Sequence, residues 1–216
     1  MKSKTMNILL ITIGVVLVGW FLYSWLPVRN IEEPKYAVVS ENSDYEIREY
    51  AGYIIAETTI TGAKDRNEAA NMGFPIIAGY IFGNNTKNGK IAMTVPVNTE
   101  DAVSEKISMT VPVNTEESEN NVYKISFVMP SKYSLDTLPK PNDARVELRE
   151  VPERQVAVRT FSWTTSEAAF EKQTAVLLEA LMRDGVETTG AVNIARYNTP
   201  WTIPFMLRSE VQIEVR

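Results

Sequence analysis

The sequence predicts an α+β fold, a distorted antiparallel β-barrel or sheet carrying two helices, and three observations point to it. A motif recurs at a spacing of 101 residues: YEIREY at 45–50 is answered by VELREV at 146–151, with Glu46, Arg48 and Glu49 matched by Glu147, Arg149 and Glu150. Each copy is followed by a β-branched, partly alternating stretch, YIIAETTI or RQVAVRTF, which is the pattern of a half-buried strand. The same offset then carries Asp65 onto Ser166, each a helix-start residue, so the chain reads as one domain built from two related halves with a pseudo-twofold relation.

The first thirty residues stand apart. Lys2 and Lys4 precede Ile8–Leu26, nineteen residues whose polar interruptions are Thr12 and Ser24. As a helix at about 1.5 Å per residue this run spans about 28 Å, close to the thickness of a bilayer's hydrocarbon core. Trp20, Tyr23 and Trp25 gather at its far end, where amphipathic rings settle at a membrane interface, and Pro27 stops it. A cleaved signal peptide is the competing reading. Its apolar region would be about 7–15 residues and end in small side chains, whereas the exit here reads GWFLYSWLP. The expectation is an uncleaved anchor over residues 1–30 and a domain over 31–216. Two lysines before the span, against Arg29 followed by Glu32 and Glu33, place the N-terminus in the cytoplasm and the domain outside, periplasmic or extracytoplasmic.

In the first half, MGFPIIAGYIF at 72–82 carries no charge, so the first helix is apolar all round and must be covered on every side. Pro75 is expected to kink it or to open its second part. Next comes an eleven-residue stretch written twice, KIAMTVPVNTE at 90–100 and KISMTVPVNTE at 106–116. Read as extended segments, the copies place Ile91, Met93 and Val95, then Ile107, Met109 and Val111, on one face. They can pair as an elaborated hairpin across the intervening turn; a tolerated tandem duplication is the alternative. VYKISFVM at 122–129 adds a strand, and YSLDTLPKPND joins the halves.

The second half is easier to read. Its helix begins at a Thr164–Glu167 capping box or at Ser166 itself. Phe170, Leu177, Leu178 and Leu181 form its apolar stripe, and Gly185 ends it. VNIARYN at 192–198 and SEVQIEV at 209–215 are the closing strands. Between them, YNTPWTIPFMLR at 197–208 holds an aromatic loop extended between two prolines.

Composition removes whole classes of chemistry. The chain has no cysteine and no histidine, so disulfides, thiolate metal sites and the commonest general base and metal ligand are absent. Residues 1–30 hold three of the 22 basic side chains and no acidic ones. The rest therefore sets 19 basic against 27 acidic groups, a net charge of −8, the wrong sign for nucleic-acid phosphates. Glu46, Glu147 and Glu210 could serve acid–base chemistry, but the recurrence of Glu46 and Glu147 assigns them to structural pairing with Arg48 and Arg149, and no enzyme is expected. What remains is an apolar helix facing an aromatic loop, a greasy cleft for a ligand or simply a packed core.

Several motifs in order carry a resemblance: YEIREY, GYIFGNN, KIAMTVPV, FVMPSKYSLDTLPKPND, REVP, and YNTPWTIPF leading to SEVQIEV. Over most of residues 35–216 the chain resembles the SOUL haem-binding proteins. The resemblance implies a distorted antiparallel barrel with two helices, and non-covalent binding of haem or another porphyrin in an apolar cleft beside the first helix. The expected lining is Phe74, Ile77, Tyr80, Ile81, Met93, Tyr197, Trp201, Phe205 and Arg208. Some family members are thought to ligate iron through histidine. With none here, Tyr80, Met93 and Tyr197 are the candidate axial groups, and Lys64, Arg66, Lys87, Lys90 and Arg208 the candidate partners for propionates. The partners expected are a tetrapyrrole and, through the N-terminal helix, a membrane. An interaction domain without physiological haem, whose Trp201 loop docks a protein or lies on the bilayer, is the other reading.

Overall fold

The computed structural model describes residues 2–26, 31–87, 105–118, 122–199 and 201–216. Among the described residues an N-terminal helix, α1 (Lys2–Trp25), precedes eleven strands and two further α-helices: β1 (Tyr36–Glu41), β2 (Glu46–Tyr50), β3 (Tyr53–Thr61), α2 (Arg66–Ile81), β4 (Asn85–Thr86), β5 (Val113–Ser118), β6 (Val122–Val128), β7 (Lys140–Pro141), β8 (Glu147–Val151), β9 (Arg154–Phe161), α3 (Glu167–Arg183), β10 (Asn193–Arg196) and β11 (Ser209–Glu214). Met6–Trp25 is long and apolar enough to cross a membrane, and of its side chains Ser24 is buried while the others are exposed.

Nine strands form one antiparallel sheet, curled into a half-barrel, in the order β1-β2-β9-β11-β10-β5-β6-β3-β8. The 101-residue spacing reappears in the element bounds. Glu46–Tyr50 is answered by Glu147–Val151, the start of β3 at Tyr53 by that of β9 at Arg154, and the start of α2 at Arg66 by that of α3 at Glu167. Leaving β1 aside, the strand order reads outward from the β10–β5 pair in matching steps. Within each half, however, the first two strands do not pair with each other. β2 lies on β9 and β3 on β8, so each half lends its first strand to the other.

Alternation along the strands decides which face is which. Ala56, Ile60, Tyr123, Ile125 and Phe127 point at α2, and Ala157, Ile194, Val211 and Ile213 point at α3. The opposite, concave face collects Arg48, Tyr50, Glu57, Ser126, Glu210 and Gln212. Both helices begin at the caps expected from the sequence: Asp65 accepts from the Glu68 N–H at 2.8 Å, and Ser166, rather than Thr164, accepts from the Ala169 N–H at 3.3 Å. Gly73 lets α2 sit close to the sheet, since a Cβ there would lie 2.5 Å from Ile125 Cγ1.

Two expectations need correction. Of the two outcomes expected for Pro75, the opening of a second part is not seen: the helix is continuous through it. Pro75 and Asn71 are both exposed, so the carbonyl deprived of its helical donor can turn to water. The second copy of the repeated stretch is not a strand over MTVPV. Ile107, Thr110 and Pro112 are buried while Met109 is 43% exposed, which is not a two-residue alternation. Its Ile107 packs into the α2 core and donates its N–H to the Ile81 carbonyl at 2.9 Å, and pairing begins at Val113. The first copy, with Met93, lies outside the described residues, as does the proposed hairpin.

Candidate functional site

α2 presents two faces. Ala69, Gly73, Ile77, Tyr80 and Ile81 are buried against β3 and β6, and the Tyr80 hydroxyl donates to the Pro139 carbonyl at 2.8 Å. Burial, helped by the neighbouring Tyr133 phenol, holds that phenol well above its ordinary titration range. The other face is where a surface helix would carry charge. Here it carries Met72, Pro75, Ile76 and Gly79, spaced at i, i+3, i+4 and i+7, with Phe74 and Phe82 exposed to either side. These four residues form one wall of a groove of about 690 Å³, closed by Thr59–Thr61 of β3, Asn84, Asp143 and Arg145. No atom comes within 4 Å of where a Gly79 Cβ would stand, so the glycine leaves the groove open. At the rim Arg145 grips Asp143 in a two-point contact, 3.0 Å from Nε and 2.6 Å from Nη2, and that contact lowers the aspartate's pKa to about 2.

A second cavity, of about 710 Å³, opens between Glu32–Lys35, Ala51–Ile54, Val128–Ser131, Tyr133–Ser134 and Glu150–Pro152. It is the slightly larger of the two, but Glu32, Glu33 and Glu150 line it against Lys35 alone, which opposes an anionic ligand. On the concave face, Glu210 is fully buried. Its carboxylate accepts from Arg48 (3.1 Å), Arg208 (2.9 Å), the Tyr197 hydroxyl (2.8 Å) and Gln212 (2.8 Å). Burial alone would raise its pKa; Arg48 and Arg208 more than offset that and hold it below the usual glutamate value.

The structure divides the residues expected from the sequence. Ile77, Tyr80 and Ile81 are core beneath the groove, and Phe74 stacks on Phe127 at 5.4 Å at its edge. Tyr197 and Arg208 belong to the Glu210 cluster, with the guanidinium 3.8 Å from the ring centre. Trp201 and Phe205 are exposed; the loop's contacts are with Trp20 and Ser24 of α1 and with Trp163. Among the candidate rim cations, Arg66 pairs with Glu167 and with Glu117 (2.6 Å), and Lys87 lies 3.7 Å from Glu105. Glu46 does pair with Arg48 (2.7 Å), but Arg149 pairs with Glu57 (3.1 Å) rather than with Glu147. Met72, Ile76, Gly79 and Arg145 are not among the site residues expected from the sequence, and Pro75 enters there only for its effect on the helix. The uncharged run 72–82 marks the helix, but helical phase alone does not say which side the sheet takes.

Comparison with known proteins bears on this geometry. Residues 31–214 match the family model described as "SOUL heme-binding protein". The human protein named heme-binding protein 2 is 31% identical over 157 residues, 72% of this chain and 71% of its own length, and the mouse protein of that name is 30% identical over 160 residues, 74% and 72%. Among solved structures, the EcmrR C-terminal domain superposes with a TM-score of 0.58 at 9% identity, covering 84% of this chain and 98% of that one. A hydrolase from Listeria innocua gives 0.50 at 11% identity, covering 82% and 94%. At such identities these structures share the fold and nothing more is drawn from them.

Proposed function

The chain belongs to the SOUL haem-binding family, and we propose that it is a membrane-anchored binding module, not an enzyme, holding haem or another porphyrin non-covalently in the groove along α2. The observation that carries this reading is the uncharged stripe Met72, Pro75, Ile76 and Gly79. It is an apolar wall on the flank of a helix, exposed at Met72 and Pro75 and half-buried at Ile76 and Gly79, facing a groove of about 690 Å³, within the range of small-molecule sites. The names of the family and of the two mammalian relatives supply the ligand class. We read residues 1–30 as the anchor and 31–216 as the binding domain. The N-terminal lysines favour a cytoplasmic N-terminus and an extracytoplasmic domain. The matching element bounds support an internal duplication as the origin of the two halves.

The residues present fit such a ligand. Ile76 and Pro75 offer apolar contact, and Gly79 leaves room for a flat ring to approach the helix backbone. Tyr80, fixed to Pro139, and Ile77 hold that helix rigidly from beneath. Arg145 stands where a propionate could compete with Asp143 for its guanidinium. The Met72 thioether is the soft donor in the groove lining. Haem, when bound, would supply the iron; the apolar wall would hold the macrocycle with or without the metal.

The test is to titrate the full-length chain in detergent with hemin and with a metal-free porphyrin. Both should bind, and the ferric spectrum should lack bis-imidazole features. Filling the groove with Gly79→Leu should weaken both by tenfold or more, because losing the contact of one large side chain, about 1.5–3 kcal/mol, is worth at least that factor. Met72→Ala should alter the hemin spectrum more than metal-free porphyrin affinity. If folded Gly79→Leu binds both like the parent, the groove is not the site. If the parent binds neither, the domain is an interaction module of this fold.

A further inference from the structure

Large aromatic side chains are normally hidden, and this fold gathers three in the open. Trp163, Trp201 and Phe205 are 67%, 76% and 57% exposed, and the rings of Trp163 and Phe205 lie 6.2 Å apart. They come from two separate loops, before α3 and before β11, which are joined where the Trp163 N–H donates to the Pro204 carbonyl at 2.8 Å. Trp163 adopts φ = +80°, a conformation that a bulky L residue rarely takes, and it is the non-glycine residue with positive φ among those described. Backbone strain thus coincides with an indole that is turned outward rather than folded in.

Contacts with α1 indicate what this patch faces. Trp20 donates its indole N–H to the Trp201 carbonyl at 2.9 Å, and the Ile203 N–H donates to Ser24 Oγ at 3.0 Å. Ser24 is buried, whereas the other α1 side chains described from Met6 to Trp25 are exposed. The protein therefore holds α1 by its last turns and leaves the rest of an apolar helix bare. A bilayer is the medium that covers such a helix, whose twenty residues span about 30 Å. Trp20 lies five residues before Trp25, about 7.5 Å along the axis from the helix end. The Trp201 loop sits at that level, in the zone where tryptophans concentrate.

We propose that Trp163, Trp201 and Phe205 form a second membrane contact, a rim inserted in the interface of the same bilayer that α1 crosses. The domain would then lie against the surface in one orientation rather than swing on a tether. The chemistry recognised is the headgroup–acyl boundary, entered by aromatic rings. With a net charge of −8 on residues 31–216 the insertion is driven by apolar area and not by attraction to anionic lipid, so it should be insensitive to salt.

The chain has no native cysteine, so single sites can be spin-labelled cleanly. In full-length protein reconstituted into phosphatidylcholine vesicles, a nitroxide at Phe205→Cys should collide with oxygen several-fold more readily, relative to a water-soluble nickel chelate, than one at Met182→Cys. Met182 is the control because it is the more exposed apolar side chain, at the far end of α3, about 24 Å of helix from Ser166. Trp163→Cys gives an independent reading should Phe205→Cys fail to fold. The ratio at position 205 should not change with added salt. Equal ratios at 205 and 182 would overturn the proposal, as would protection of 205 from both reagents, the signature of a protein partner over the patch.

Discussion

Glu210 and Lys124 occupy matching places in the two halves. Glu210 pairs across the sheet with Thr160, and Lys124 with Thr59, the residue 101 positions before Thr160. The surroundings differ completely. Around Glu210 two arginines, a tyrosine and a glutamine converge on one carboxylate out of reach of solvent. Around Lys124 the charges are wet: Lys124 is 39% exposed, Arg149 is 49% exposed, and both lean on Glu57, at 3.7 and 3.1 Å. The cause is topological. β1 and the residues before it lie over the second half's side, where Tyr36 stacks on Tyr50 at 5.1 Å and Glu33 holds Arg208 at 2.9 Å. On the other side β8 is the sheet edge, and a small cavity opens beside Glu57 and Glu147. One backbone pattern supports a sealed ionic core or an open surface, depending on whether a further strand flanks that side of the sheet and brings side chains such as Tyr36 and Glu33 onto it.

The largest effect should come from Glu210→Gln. It leaves Arg48, 3% exposed, without its full counter-charge, and breaking a buried pair costs about 3–5 kcal/mol. Chemical denaturation of the full-length protein in detergent measures this directly. A loss below about 1 kcal/mol would mean that the cluster is solvated and the contrast between the halves is false.

Acid should act through the same group. The folded-state pKa of Glu210 is lowered from the ordinary 4.5, so its contribution to stability is fully present above that value and is lost as pH falls through the lower folded value. Thermal midpoints should therefore drop as pH falls below about 4.5, and Glu210→Gln should flatten that limb. Asp143 and Asp184, also lowered, pair with exposed arginines, Arg145 and Arg183, and should contribute little. A parent and a variant with the same acid limb would assign acid sensitivity elsewhere.

Tyr197→Phe should come next. It removes the hydroxyl donated to Glu210 at 2.8 Å while keeping the ring under Arg208. Hydrogen bonds to charged groups are worth about 1.5–3 kcal/mol, and the lower figure is expected because Gln212 still serves the same oxygen. Burial and the neighbouring Glu210 raise the Tyr197 phenol far above neutrality, so the loss should not vary between about pH 6 and 9.

Much of this architecture was legible in the sequence, and what was not has identifiable reasons. The 101-residue offset located four strands and both caps because strand patterns and capping residues are local signals. The exchange of first strands between halves was invisible, since pairing partners are chosen by the whole sheet. The all-apolar run 72–82 announced a covered helix but not its phase, so Ile77, Tyr80 and Ile81 were expected in a cleft and stand in the core, while Met72, Ile76 and Gly79 line the groove. Tyr197, Trp201, Phe205 and Arg208 sit within twelve residues of one another, yet a loop between two prolines let them diverge. Tyr197 and Arg208 turn to the Glu210 cluster, while Trp201 and Phe205 stay exposed, Phe205 beside Trp163. Glu210 was noted as a carboxylate, but its two arginines arrive from β2 and from the turn before β11, and no spacing rule joins them.

The smallest effect, and the one that sharpens the comparison most, should be that of Glu57→Gln. Glu57 is itself nearly buried, so burial of the carboxylate alone would predict a loss close to that at Glu210. Its partners argue otherwise. Lys124 and Arg149 reach it from solvent, and once the carboxylate is neutralised both can turn back to water without a desolvated charge being stranded. The expected cost is that of a surface pair, about 1 kcal/mol or less, and it should shrink further in high salt as the exposed cations are screened. Glu210→Gln should show no such salt dependence, because Arg48 has no solvent to return to. Measuring both variants at low and high ionic strength separates the two accounts. If Glu57→Gln matches Glu210→Gln in size and in indifference to salt, carboxylate burial sets the energetics, and the strand that flanks the second half's side of the sheet is not what distinguishes it.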